Sequence, residues 1–509
     1  MSLTTSLGAL TLGVTGAVVG AVTDSELAVR AERAPAASGA SAQKASPRID
    51  WQRCRSRALR RAGGQCGRVR VPMDYDDPSA GKISLAVSRL RHTTTRSQGV
   101  MLVNPGGPGA PGLELALLKR TMPRNSGRSF DWIGFDPRGA GASRPALSCR
   151  PWYFHADRPA YVPRNEADER EWLRRSRHYA RGCAKYGRLL DNMTTADMAR
   201  DVDQIRRALR QERISWYGYS YGTYIGQVYA TLFPHRVKRM VLDSNVDPRN
   251  VWYEANLEQN RAFQPAFTKF FAWVATHRST YHLGRSARQV QRTYLRVRRQ
   301  LDRRPAAGRL GPSEFDDAAL VAAYAPTAWP VVGAALAAWV NQGNPRPLLG
   351  LWRWWDTPGD DNLFAGYLAV FCTEGTWPNW EQTRADARRL HRVSPIITWA
   401  NTWFNAPCLF WPAESTAPVD VDGHQVRALL IGQTEDAATP FQGSLETRGR
   451  FPKSALVAVR GGYAHAASPG GGRCVRRAIA AYLEKGVLPP REPGRRADLL
   501  CPAPRLPTP

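Results

Sequence analysis

At 509 residues the chain is long enough to bury a sizeable core and to carry a second domain or a large insertion. Hydrophobic residues make up 43% and charged residues 22%, the composition of a globular protein, which excludes disorder over its bulk. The formal net charge is +28, mostly arginine, but the arginines are scattered and no helix-turn-helix, zinc-finger or aromatic-rich RNA-binding pattern accompanies them, so a solvated basic surface is expected and not a nucleic-acid site.

The N-terminus, Ser6-Leu-Gly-Ala-Leu-Thr-Leu-Gly-Val-Thr-Gly-Ala-Val-Val-Gly-Ala-Val, is short, apolar and glycine-rich. It suits the apolar region of a signal peptide better than a spanning helix, with Ala21-Val-Thr23 as a small-residue cleavage site, although no basic residue precedes it. Residues 1–45 are therefore read as signal peptide and leader or linker, and no later segment is apolar enough to cross a bilayer. Eight cysteines, Cys54, Cys66, Cys149, Cys183, Cys372, Cys408, Cys474 and Cys501, support export. None forms a Cys-x-x-Cys pair, so zinc and thiol-exchange chemistry fit poorly. Their even number suggests four local disulfides between sequential neighbours, with the pairing left open.

Alternation in Leu85-Ala-Val-Ser-Arg-Leu predicts an early strand. Val100-Met-Leu-Val and Phe130-Asp-Trp-Ile-Gly-Phe read as buried strands, each running into a glycine-rich turn. Thr194 with Asp197 three residues on marks a capped helix start, and Met198, Val202, Ile205 and Leu209 then fall on one helical face. A strand at 214–217, a turn, a helix at 223–232 and a strand at 237–242 follow. Residues 250–400 lose this rhythm; they are helix-rich and hold ten of the 17 tryptophans. Strands return at 427–432 and 454–459. The expected fold is thus α/β, a mostly parallel doubly wound sheet of the α/β-hydrolase type. Residues 46–249 form its first part, 250–400 a helical cap insertion, and 401–509 the C-terminal part.

Gly218-x-Ser220-x-Gly222 sits between a predicted strand and a predicted helix. A serine hydroxyl becomes a useful nucleophile when a sharp strand-to-helix turn holds it out of the fold, beside a base and amide donors. Ser220 is the candidate nucleophile. Donors for a developing oxyanion are expected from the Tyr221 backbone N–H and from the loop after the 100–103 strand, where Gly107 is the first choice and Gly106 the second, since Pro108 has no N–H. In this architecture an acid and a base follow the serine in the chain, on loops after later strands. Asp436 follows the 427–432 strand and His465 the 454–459 strand, so Asp436 is the candidate acid and His465 the candidate base. Glu435, Asp243 and Asp247 are rival acids, and His424 is a less well placed histidine because it precedes its strand. Arg138, in Asp136-Pro-Arg-Gly-Ala-Gly, is read as bracing a loop by pairing with a carboxylate or carbonyl. The sequence points to no metal and no cofactor.

Taken together, Asn104-Pro-Gly-Gly-Pro-Gly, Phe135-Asp-Pro-Arg-Gly-x-Gly-x-Ser143, Gly218-Tyr-Ser-Tyr-Gly-Thr223, Asp436-x-x-Thr-Pro440 and the Cys474 to Cys501 tail with Tyr482-Leu resemble secreted bacterial tripeptidyl aminopeptidases and their proline-iminopeptidase-like relatives, over roughly residues 50 to 505. The resemblance implies a serine exopeptidase that removes short pieces from the N-terminus of peptides, with a helical cap limiting access. An esterase or lipase using the same triad is the alternative, and a non-catalytic cell-surface binding protein a third reading. The expected partner is a peptide or small ester, with no nucleic acid and no membrane span beyond the signal peptide. One departure stands out: the base of this family usually sits in a Gly-His-Gly-like turn, whereas here it is Ala464-His465-Ala466. Glu374 is a further candidate, to receive the substrate ammonium that an exopeptidase must recognise.

Overall fold

A computed structural model describes residues 49–466 and 468–509. The expected signal and leader region, 1–45, lies outside the described residues. Ten strands form one sheet: β1 (Gln52–Arg53), β2 (Gln65–Pro72), β3 (Lys82–Leu90), β4 (Val100–Asn104), β5 (Asp131–Phe135), β6 (Ile214–Tyr219), β7 (Val237–Asp243), β8 (Ala428–Gln433), β9 (Ala455–Arg460) and β10 (Leu499–Pro502). Their spatial order is β1-β2-β3-β5-β4-β6-β7-β8-β9-β10. The first three pair antiparallel, β3 also pairs antiparallel with β5, and every pairing from β5 through β10 is parallel.

The central parallel strands are mostly apolar because helices cover both faces. All residues of β4, β6 and β8 are buried. The helix Thr195–Ala208, opened by Thr194 accepting the Asp197 N–H, turns Met198, Val202 and Ile205 onto the sheet. The helix Tyr221–Leu232 then carries the chain from β6 to β7. Since β6 lies in the middle of the sheet, its C-terminal end meets the neighbouring strand ends on either side.

Between β7 and β8 the chain leaves the sheet and forms helices from Tyr253–Thr276 to Thr398–Asn405. These have their own core, in which Phe263, Phe270, Trp329 and Trp403 are buried. Part of the chain before β6 joins that core. Trp172, on the helix Glu166–Cys183, stacks on Trp403 with ring centroids 5.7 Å apart. Arg158, fully enclosed, pairs with Glu314 at 2.9 Å, Asp317 at 2.7 Å and Asp356 at 2.9 Å.

The cysteines form four disulfides, Cys54–Cys66, Cys149–Cys183, Cys372–Cys408 and Cys474–Cys501, each between sequential neighbours. Among the described residues no helix is long and apolar enough to cross a membrane.

Candidate active site

Ser220 ends the turn out of β6 and caps the helix Tyr221–Leu232 with φ +52° and ψ −126°, a backbone conformation that costs an L-residue strain and is kept where the surroundings enforce it. The glycines two residues to either side explain how the turn fits. A Cβ on Gly218 would fall 2.2 Å from the Gly222 oxygen, and one on Gly222 would fall 2.7 Å from the Asn104 oxygen at the end of β4. Side chains at either place would push the turn apart. The Ser220 N–H donates to the Asp243 carbonyl oxygen at 3.0 Å, tying the turn to β7.

The loop after β4 packs directly on this turn. A Cβ on Gly106 would meet Ser220 Cβ at 2.9 Å and Tyr221 N at 3.0 Å. The Gly106 N–H donates to Asn104 Oδ1 at 2.8 Å, which leaves it committed. Farther along, Gly109 lies against the helix Asn362–Thr373.

Asp436 and His465 meet on the loops after β8 and β9. His465 Nδ1 lies 2.9 Å from Asp436 Oδ2 and 3.1 Å from Oδ1. An ionised carboxylate only accepts, so this contact puts the ring proton on Nδ1 and leaves Nε2 as the basic nitrogen. Asp436 is itself fixed by the Ala438 and Thr439 N–H groups, at 2.9 and 3.2 Å, and by the Thr439 hydroxyl at 2.9 Å. Thr439 Oγ1 also approaches His465 Nδ1 at 3.5 Å and lines the same cavity as Ser220, together with Trp252, Gln259 and Glu258. Burial works against a charged imidazole at His465, but the Asp436 carboxylate, its hydrogen bond and the more distant Asp243 outweigh it and raise the pKa above the usual histidine value.

The rival acids are not hydrogen-bonded to the His465 ring, although Asp247 lines the Ser220 cavity. Glu435 is exposed beside Thr434. Asp247 forms a two-pronged pair with Arg249. His424 is exposed and pairs with Asp422. Asp243 reaches the base loop and not the ring: its Oδ2 accepts the Ser468 N–H at 2.9 Å. Glu374 is 1% exposed, accepts from the Thr195 hydroxyl at 2.7 Å and the Trp252 indole at 3.2 Å, and is not among the residues lining the Ser220 cavity. Burial pushes its pKa up to about 7. Arg138 pairs with Asp201 through two contacts of 2.8 Å and donates to the Met73 carbonyl, which makes it a brace.

Two contributors escaped sequence reasoning. The His465 N–H donates to the Tyr324 carbonyl at 2.8 Å, so the helical region holds the base loop from outside the sheet. The Ser244 hydroxyl accepts the Ala466 N–H at 2.9 Å. Neither contact has a local signature, because each joins segments more than a hundred residues apart.

The family model described as alpha/beta hydrolase fold matches residues 99–468. The tripeptidyl aminopeptidase of Streptomyces coelicolor is 39% identical over 464 residues, covering 88% of this chain and 86% of that protein. The serine protease Hip1 of Mycobacterium tuberculosis is 30% identical over 488 residues, covering 89% and 92%. Carboxylesterase B of the same species is 30% identical over 473 residues, covering 87% and 89%. With a strand–turn–helix serine and a paired acid and histidine at the expected strand ends, the chain belongs to the α/β-hydrolase family, as a serine hydrolase of the tripeptidyl aminopeptidase group.

Proposed function

We propose that the chain is an exported exopeptidase that releases short peptides from the free N-terminus of its substrates by a Ser220–His465–Asp436 acyl-enzyme mechanism. The observation that carries this reading is the 39% identity to a tripeptidyl aminopeptidase over nearly the whole chain. The four disulfides support an oxidising compartment.

In this reading His465 Nε2 takes the Ser220 proton as Oγ attacks the scissile carbonyl, and returns it to the leaving amine. Asp436 keeps the ring in the required tautomer and balances the imidazolium charge. The N–H groups of Gly107 and Tyr221 receive the oxyanion, each worth about 100- to 1000-fold in rate. Residues 250–400, with the helix Glu166–Cys183 packed against them, serve as the cap. An aromatic cavity inside it is lined by Trp355, Phe364 and Tyr367, and Trp355 contacts Tyr324, whose ring meets His465.

A carboxylesterase is the second reading, favoured by the 30% identity to carboxylesterase B. A chromogenic panel of aminoacyl and tripeptidyl anilides, N-acetylated counterparts and short-chain esters separates the two. Turnover of free tripeptidyl anilides, lost on acetylation and in Ser220→Ala, is expected. Ester turnover with no anilide turnover would overturn the peptidase reading.

A further inference from the structure

Asp243 and Ser244, the last residue of β7 and the one after it, reach both halves of the site. The Asp243 carbonyl oxygen accepts the Ser220 N–H at 3.0 Å. Its carboxylate accepts the Ser468 N–H at 2.9 Å and the Ser244 hydroxyl at 3.4 Å. Ser244 Oγ in turn accepts the Ala466 N–H. The nucleophile turn and the loop on the far side of His465 are therefore held by two adjacent residues.

The backbone gives a second line of argument. Ala466 has φ +54° and Ser244 has φ +64°, both in the left-handed region that a glycine enters freely and other residues enter at a cost. Ala466 is held in that region with its N–H tethered by the Ser244 hydroxyl at 2.9 Å. Asp243 is fully buried, and burial alone is unfavourable for its charge. Burial raises its pKa to about 6, against the hydrogen bonds of Ser468 and the positive side of His465. The titratable groups facing it are Tyr217 and Tyr219 from β6, Asp436 after β8 and His465 after β9.

We infer that Asp243 and Ser244 are positioning residues for His465: they fix the base loop relative to the nucleophile turn, and Asp243 sets a buried carboxylate against that loop. The inference rests on the triad reading above, though not on whether the substrate is a peptide or an ester.

The test compares kcat, KM and the acid limb of kcat/KM for wild type, Asp243→Asn, Ser244→Ala and His465→Ala, on whichever chromogenic substrate the wild type turns over. Near-UV circular dichroism checks the fold of each. Asp243→Asn keeps an oxygen for the Ser468 N–H but loses the charge. It is expected to move the acid limb to lower pH and to lower kcat by about tenfold with KM unchanged. Ser244→Ala frees the Ala466 N–H and is expected to lower kcat several-fold with the acid limb in place. An acid limb that stays put in folded Asp243→Asn overturns the electrostatic half, and an unchanged kcat in Ser244→Ala overturns the tether. Should Asp243→Asn fail to fold, Asp243→Ser, which also removes the charge, takes its place in the acid-limb comparison, and Ser244→Ala decides the tether. Turnover that survives His465→Ala sinks the triad reading itself.

Discussion

Gly109 and Gly366 touch backbone to backbone: a Cβ added to Gly366 would fall 2.9 Å from the Gly109 Cα, and one added to Gly109 would fall 2.6 Å from the Leu363 oxygen. The loop after β4, proposed to offer an oxyanion donor, thus rests on the helix Asn362–Thr373 with nothing in between. Elsewhere in a helix, alanine for glycine is stabilising by up to about 1 kcal/mol. Here Gly366→Ala is expected to lift the loop and lower kcat by about tenfold or more, since oxyanion donors act only within hydrogen-bond reach. Steady-state kinetics beside a thermal melt check this, and wild-type kcat in a folded variant would refute it.

Activity should fall as pH drops through the His465 pKa, because a protonated imidazole cannot accept the Ser220 proton. That pKa is raised: burial pulls it down, but Asp436, with Asp243 behind it, pulls it up further. The same shift contributes stability that is fully present below the ordinary histidine value of about 6.5 and is lost as pH rises through the folded value. Asp436→Asn should therefore move the acid limb to lower pH and cut kcat by about three to four orders of magnitude through the wrong tautomer. A pH–rate profile of the two proteins decides, and an unmoved limb counts against Asp436 as the acid.

Arg138 and Asp201 form an ion pair with side-chain exposures of 0% and 2%. Asp201→Asn leaves the guanidinium with carbonyl partners and one uncompensated buried charge, which is expected to cost about 3–5 kcal/mol. Urea unfolding measures it. A loss under about 1 kcal/mol would show that the carbonyls of Met73 and Asn192 suffice to hold Arg138.

The disulfide Cys372–Cys408 closes a loop with a sequence separation of 36 and ties the helix Asn362–Thr373, on which the loop after β4 rests, to the end of the helical region. Loop-closure entropy assigns it about 4 kcal/mol. A Cys372→Ser/Cys408→Ser variant should melt lower and lose kcat together with stability. A lower melting temperature at unchanged kcat, measured well below the melt, would separate the staple from the site.

The sheet was legible in the sequence wherever strand, turn and helix alternate within a few residues. Gly218-x-Ser220-x-Gly222 could be read because each residue's role is set by a neighbour two positions away. The helix at Thr194 could be read because its cap and its apolar spacing are both local. β2 was missed although Val69 and Val71 alternate with basic residues, since the surrounding arginines mask a strand whose outer face is solvated. β10 has only four residues and pairs with β9 across the intervening helix Arg473–Lys485, so no periodicity announces it. The helix Glu166–Cys183 is strongly charged, and its Trp172 packs on Trp403, more than two hundred residues downstream. For the same reason Glu374 looked available when it is enclosed by Thr195 and Trp252. The Asp243–Ser244 contacts with the base loop have no counterpart in local spacing at all.

Both margins of the sheet are stapled. On one side β1 is two residues long and Cys54, just past it, is bridged to Cys66 in β2; on the other β10 is four residues long and its Cys501 is bridged to Cys474 on the helix in front of it. A short outermost strand offers another chain few free amide and carbonyl groups on which to add. The bridges also keep those strands from peeling away and baring the longer ones beneath. The hydrolase is thereby guarded at both ends against edge-to-edge growth into aggregates, a protection that lasts while the sulfurs stay oxidised.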